Sequence, residues 1–174
     1  MTEPYRVMTV CTGNICRSPI AEVVLRDRFD RAGLGDRVLV DSSGTSDEEH
    51  GNPIDRRAAA VLREAGYDVP RHRAHQVTRA EIGDRDLLLA MTARHARVLR
   101  TQAPDEAAAR RVVMYRSFDP AAAATSGPGA VADESALDIE DPWYGDDEDF
   151  VVALRQIEAA MPEVIRRAAE LVRD

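Results

Sequence analysis

Cys11 and Arg17 bracket the stretch CTGNICR, with Thr12, Gly13, Asn14, Ile15 and Cys16 between them. A thiol and a guanidinium at that spacing can do chemistry on a phosphate group. A loop of this length can curl until successive backbone N–H groups face one centre and form an anion-binding nest. Gly13 permits a backbone conformation that is costly for other residues, and Asn14 is among the few others that tolerate a left-handed one. Ser18 suits an N-cap and Pro19 the first helical position, which would set the positive end of a helix dipole behind the bound anion. The same field acts on the sulfur. A free thiol with a pKa of about 8.5 is roughly 3% ionised at pH 7, and helix N-termini and nearby cations can bring such values to about 3.5–7.5. An ionised Cys11 could attack phosphorus and carry the phosphoryl group covalently. Arg17 offers a planar fork for two equatorial oxygens, a geometry lysine does not reproduce. This scheme requires neither metal nor cofactor. The plainer alternative for Cys11 is a small buried hydrophobe, the usual fate of a free cysteine. The full run CxGNxCRSP argues against it, since the chance of a match is about 10⁻⁸ per cysteine at roughly 0.05 per fixed position.

Attack on an aryl phosphate also needs a proton donor for the leaving oxygen. The loop has no carboxyl, but IEDPWYGDDEDF, Ile139 to Phe150, offers Glu140, Asp141, Asp146, Asp147, Glu148 and Asp149. The last four and Glu140 also read as a solvated acidic run capping the helix that follows. Asp119, likewise followed by proline, is a rival donor. Ser18 is close enough in sequence to hydrogen-bond Cys11 and stabilise its thiolate when it leaves. Trp143 and Tyr144 can flank a pocket and stack on a flat aromatic substrate, or they can pack in the core. Cys16 can form a disulfide with Cys11 that shields it from irreversible oxidation, or can simply pack. His50, His75 and His95 are read as surface or satisfied side chains.

Alternating strands and helices are expected to hold these residues. Strands are predicted at Arg6–Val10, Val38–Val40, Asp86–Met91 and Val112–Tyr115, and helices from Pro19 to a stop at Gly33, at Arg56–Ala65 closed by Gly66, and at Arg94–Arg100. A last helix, Glu148–Arg173, is expected to kink or divide at Pro162. The segment Asp119–Asp138, rich in Ala, Gly, Pro and Ser, is predicted to be an exposed, mobile loop. This order implies an α/β fold, a parallel sheet flanked by helices, with ligands beyond the carboxyl ends of its strands, where the Cys11–Ser18 loop lies. At 174 residues, with 44% hydrophobic and 31% charged, the chain suits a single globular domain. A net charge of −8 argues against nucleic acid as a partner and requires any attraction for an anion to be local. The N-terminus lacks a signal-peptide layout and no apolar run approaches a membrane span, so a soluble cytoplasmic protein with no membrane partner is expected. Two cysteines make no disulfide framework, and no His/Cys cluster suggests a metal site.

CTGNICRSP resembles the active-site loop of the low-molecular-weight protein tyrosine phosphatases, and the resemblance continues through DSSGTS, GNPIDRRA, DLLLAM, SFDP and DPWYG. It weakens over Ala121–Ile139. The resemblance implies a three-layer fold with a four-stranded parallel sheet, and a two-step, metal-free hydrolysis of phosphotyrosine in protein substrates. It implies Asp141 as the acid and later the base, Asp119 as a structural turn residue, and His72 as the partner that holds the backbone of Asn14. Thr12, Gly13, Asn14, Ile15, Cys16 and Ser18 would surround the phosphate. Many relatives carry an aromatic residue after GTS where Glu48 stands here, between Asp47 and Glu49, so the mouth should disfavour acidic phosphopeptides. A subgroup that removes phosphate from arginine has threonine in place of Ile15; an apolar Ile15 favours a phenyl ring but leaves phosphoarginine as an alternative. Arsenate reductases need resolving cysteines, and Arg79–Thr92 contains none. A phosphate-binding module without turnover would need neither Cys11 nor Asp141. Oligomeric state is left open by the sequence.

Overall fold

The computed structural model describes residues 3–124 and 133–172. Four strands, β1 (Tyr5–Cys11), β2 (Val38–Gly44), β3 (Leu87–Ala90) and β4 (Val112–Met114), form one parallel sheet in the order β2-β1-β3-β4. The helices are α1 (Arg17–Arg31), α2 (Arg56–Glu64), α3 (Arg79–Asp84), α4 (Ala93–Gln102), α5 (Glu106–Arg110), α6 (Pro120–Ala124) and α7 (Asp147–Leu171). Side chains on the strands alternate between two buried faces. Val7, Cys11, Leu87 and Leu89 pack with Val24, Leu62 and Ile157 of α1, α2 and α7. Met8, Val10, Leu88 and Ala90 pack with Ile82, Leu99 and Ala108 of α3, α4 and α5. This is the expected three-layer α/β fold. With β1 between β2 and β3, chain connections diverge from its carboxyl end and leave a crevice there.

The local reading needs three corrections, at β2, at the start of α1 and in the segment Asp119–Asp138. β2 runs through Asp41–Gly44, which composition marks as loop; Ser42 and Ser43 are buried there and their hydroxyls are bonded, Ser43 Oγ to Met8 Sδ at 3.1 Å. α1 begins at Arg17, so Ser18 and Pro19 occupy its second and third positions rather than N-cap and first; the N-cap is Cys16, with no side-chain cap. Proline fits there because first-turn N–H groups have no partner within the helix. Of the two outcomes expected at Pro162, division does not occur: α7 runs through it as one helix. Proline in a helix interior costs about 3 kcal/mol, a loss offset by the buried stripe Phe150, Ala153, Leu154, Ile157, Ala160 and Val164. Part of the supposed loop Asp119–Asp138 is structured: α6 and a 3₁₀ turn at Glu134–Leu137 bury Ala122 and Leu137, and Arg100 pairs with Glu134 at 2.7 Å. Residues 125–132 of that segment lie outside the described residues. Gly33 and Gly66, with φ of +71° and +89°, follow α1 and α2 as read. Among the described residues no helix is long and apolar enough to cross a membrane.

Candidate active site

β1 delivers Cys11 as its last residue, opposite Gly44 of β2. Beyond it the chain turns on Asn14, whose φ of +59° makes it the one non-glycine residue with positive φ among the described residues. The left-handed conformation thus falls on Asn14 rather than Gly13. Gly13 contributes space, since a Cβ there would stand 3.1 Å from Glu49 Cγ. Asn14 is fully buried and held on every side. Its Nδ2 donates to Ser18 Oγ (2.9 Å) and Ser42 Oγ (3.0 Å), its Oδ1 accepts from the His75 amide (3.1 Å), and its carbonyl meets His72 Nε2 at 2.5 Å. Such a set of bonds offsets the cost of an αL residue, about 1–2 kcal/mol. Ser18 Oγ lies 3.0 Å from Cys11 Sγ and 3.2 Å from the Ser43 carbonyl. The helix behind the loop carries no side-chain cap, so its first N–H groups are available to an anion.

Arg17 is only 4% exposed, although it lines the cavity. Its Nη1 donates to the Ile139 carbonyl at 2.9 Å, its Nη2 lies 3.4 Å from Asp141 Oδ2, and its buried Nε has no partner. Asp141 Oδ1 accepts from the Trp143 amide at 3.1 Å, capping the 3₁₀ turn Pro142–Tyr144. Cys11, Thr12, Gly13, Ile15, Cys16 and Arg17 form the floor of a cavity of about 130 Å³; Glu48, Glu49, Asp141, Trp143 and Tyr144 form its walls. The two aromatic side chains are 46% and 84% exposed and stack edge to face on one another, centroids 4.9 Å apart, so core packing does not account for them. Both cysteines are buried free thiols; burial, then the charge of Asp55, pushes the Cys16 thiol up. Among the described residues no group of three or more His, Cys, Asp or Glu side chains could hold a metal.

Residues 6–174 match the family model described as "Low molecular weight phosphotyrosine protein phosphatase". The chain is 48% identical over 162 residues to low molecular weight protein-tyrosine phosphatase A of Mycobacterium tuberculosis, covering 93% of this chain and 90% of that one. It is 42% identical over 168 residues to the low molecular weight protein-tyrosine-phosphatase of Streptomyces coelicolor, covering 97% and 96%. Among solved structures, a protein tyrosine phosphatase from Entamoeba histolytica superposes with a TM-score of 0.82 at 25% identity, covering 95% and 97%. The chain belongs to the low molecular weight phosphotyrosine protein phosphatases. As in the sequence reading of this phosphatase, Cys11, Arg17 and Asp141 converge on one cavity and His72 reaches Asn14. Asp119 does not join them; it is buried, accepts from the Ala121 amide at 3.0 Å and faces Arg116 at 3.9 Å. Asp146 and Asp149 form the capping box of α7, with Asp147 and Glu148 in its first turn, and Glu140 is exposed outside the cavity. Glu48 and Glu49 line the mouth, whereas Asp47 does not.

The sequence reading missed several residues around the phosphatase loop. Gly44 is one: a Cβ there would stand 2.4 Å from the Thr12 carbonyl, so only glycine lets β2 approach the loop. Ser42 links Asn14 to Glu22. Arg57 of α2 donates to the Trp143 carbonyl (3.3 Å) and the Gly145 carbonyl (3.4 Å), pairs with Asp55 and lies over the Phe150 ring. Asp55 in turn donates its amide to the Ile15 carbonyl at 2.8 Å. His95, read as an ordinary histidine, is 2% exposed and sits against Thr12. A signal for Gly44 was present: extending β2 in register with β1 brings it opposite Cys11.

Proposed function

We propose that residues 1–174 act as one domain, a cytoplasmic phosphatase that removes phosphate from phosphotyrosine in proteins through a phosphocysteine intermediate. The observation that carries this reading is the convergence of a nucleophile, a buried guanidinium and an exposed carboxyl on one small cavity with aromatic walls. In the first step the Cys11 thiolate forms an S–P bond as the P–O bond to the tyrosyl oxygen breaks, and Asp141 gives its proton to that oxygen. Arg17 and the loop amides from Thr12 to Ser18 hold the phosphoryl oxygens as charge shifts among them. In the second step water attacks phosphorus, Asp141 takes its proton, and the S–P bond breaks to release phosphate and thiolate. Ser18 serves that release. Its single proton points to the Ser43 carbonyl while Cys11 is a thiol and turns to the sulfur when it becomes a thiolate; both acceptors are within reach. Positive charge comes from Arg17 and the amides, so the scheme requires no metal. Ile15, Trp143 and Tyr144 give the tyrosyl ring apolar walls, and Cys16, kept a thiol by its burial, packs beneath.

The test compares kcat/KM for phosphotyrosine peptides and phosphoarginine without added metal, with Cys11→Ser as control. Preference for phosphotyrosine, abolished by Cys11→Ser, is the expected result. Preference for phosphoarginine would overturn the substrate, and phosphate binding without turnover of either would overturn the enzyme.

A further inference from the structure

His95 is a buried titratable group that the mechanism above does not use. It lies in the first turn of α4, its amide bonded to Thr92 Oγ1 at 3.3 Å, and its ring points to the floor of the cavity, with Nε2 2.7 Å from Thr12 Oγ1. Its other nitrogen, Nδ1, is buried with no partner. Burial, followed by the positive charges of Arg17 and Arg94, lowers its pKa from 6.5 to about 3, so the ring is neutral at neutral pH. A neutral imidazole carries one N–H and one lone pair. With the proton on Nδ1, a buried N–H would go unpaired and Thr12 would spend its own proton on Nε2. With the proton on Nε2, only a lone pair is left bare at Nδ1, and Thr12 Oγ1 becomes an acceptor. Buried unpaired N–H groups are rarer than under-satisfied acceptors, which favours the second arrangement. The hydroxyl proton of Thr12 is then free, and Thr12 lines the cavity.

We infer that the Thr12 hydroxyl is a donor to the phosphoryl oxygens, and that His95 is the positioning residue that aims it by donating from Nε2. This rests on the pocket being the phosphatase site proposed above. The floor then holds one side-chain donor besides Arg17 and the loop amides. The bond from His95 turns the hydroxyl proton away from Nε2 before substrate arrives, which reduces the reorientation needed as charge builds on the oxygens.

Two measurements test the inference. Long-range ¹⁵N–¹H spectra of the histidine rings report the tautomer of His95; the Nε2–H form is expected and the Nδ1–H form would overturn the relay. The second is a double-mutant cycle with Thr12→Val and His95→Leu, read as kcat/KM for a phosphotyrosine peptide and as affinity for inorganic phosphate. Each single change should lower both by about tenfold or more, and the double variant should be no worse than Thr12→Val alone. Thr12→Ser, which keeps the hydroxyl, and His95→Gln, which keeps a donor near Nε2, should recover most of the loss. Thermal melts identify any variant that fails to fold, in which case these two conservative variants carry the comparison. Thr12→Val within twofold of wild type on both readouts, or single losses that multiply, would overturn the inference. If the wild-type protein binds phosphate without turning over any phosphomonoester, the proposed function fails, while the affinity cycle still decides the role of the hydroxyl.

Discussion

Arg57 provides a test of whether Asp141, the proposed acid, is held in place by α2. Its guanidinium reaches two carbonyls of the segment that carries Asp141, those of Trp143 at 3.3 Å and Gly145 at 3.4 Å. Hydrogen bonds from charged donors contribute about 1.5–3 kcal/mol at good geometry. Here the bonds are long and the side chain is 28% exposed, which reduces each to roughly 0.5–0.8 kcal/mol. Arg57→Met removes both donors, together with the pairing to Asp55, but keeps an unbranched side chain over the Phe150 ring, which the guanidinium carbon approaches to 4.5 Å of the centroid. The combined loss of about 1–1.5 kcal/mol corresponds to roughly tenfold in rate if it falls on the step that uses the acid. The assay is kcat/KM, which reports only the steps through loss of the leaving group and not the later hydrolysis in which Asp141 is the base, for two substrates whose leaving groups differ in their need for a proton. Phosphotyrosine should slow by about tenfold; para-nitrophenyl phosphate, whose phenolate leaves without a proton, should slow by less than about twofold. Equal losses on both would mean that Arg57 only supports the fold, and no loss on either would mean that Pro142 and the Asp141 cap hold the segment unaided. Either result would refute the reasoning.

Gly44→Ala should force β2 from the phosphate loop, costing about 1–3 kcal/mol of stability in a denaturant titration and lowering kcat more than the loss of folded protein explains. Glu48→Gln with Glu49→Gln should weaken a preference for phosphotyrosine peptides with basic flanks by roughly two- to fivefold, as expected for exposed ion pairs, and the preference should fade at high salt. The folded-state pKa of His95 is lowered, so the unfolded chain takes up that proton first; its contribution to stability is complete above pH 6.5 and is lost as pH falls toward about 3. Urea midpoints measured across that window should therefore show a shallower pH dependence for His95→Gln than for wild type.

The residues that were legible in sequence share one property: their roles follow from neighbours close along the chain. Cys11, Arg17 and Ser18 sit in one loop and its helix, and β1, β3 and β4 are short apolar runs whose alternation carries both faces of the core. Asp141, Trp143 and Tyr144 were placed by their resemblance to a known motif, since nothing local distinguishes Asp141 from the carboxyls beside it; what separates them is the geometry that turns Asp141 toward Arg17 and ties Asp146 and Asp149 into a helix cap. The misses lie where two distant segments meet. Ser42, Ser43 and Gly44 read as loop because small polar residues have low strand propensity, yet register with β1 makes them strand, and each then meets the loop: Ser42 bonds Asn14, the Ser43 carbonyl accepts a hydrogen bond from the Ser18 hydroxyl, and Gly44 leaves room for the Thr12 carbonyl. The difference at the start of α1 fits the proposed phosphate site. Ser18 is a good N-cap by propensity, but a serine bonded back to the helix N–H groups would fill the place an anion needs, and here its hydroxyl instead faces Cys11 while the helix goes uncapped. His95 shows the limit most plainly. In sequence it is one histidine among four, and only the packing of α4 beside the end of β1 takes it out of water and sets it against the loop.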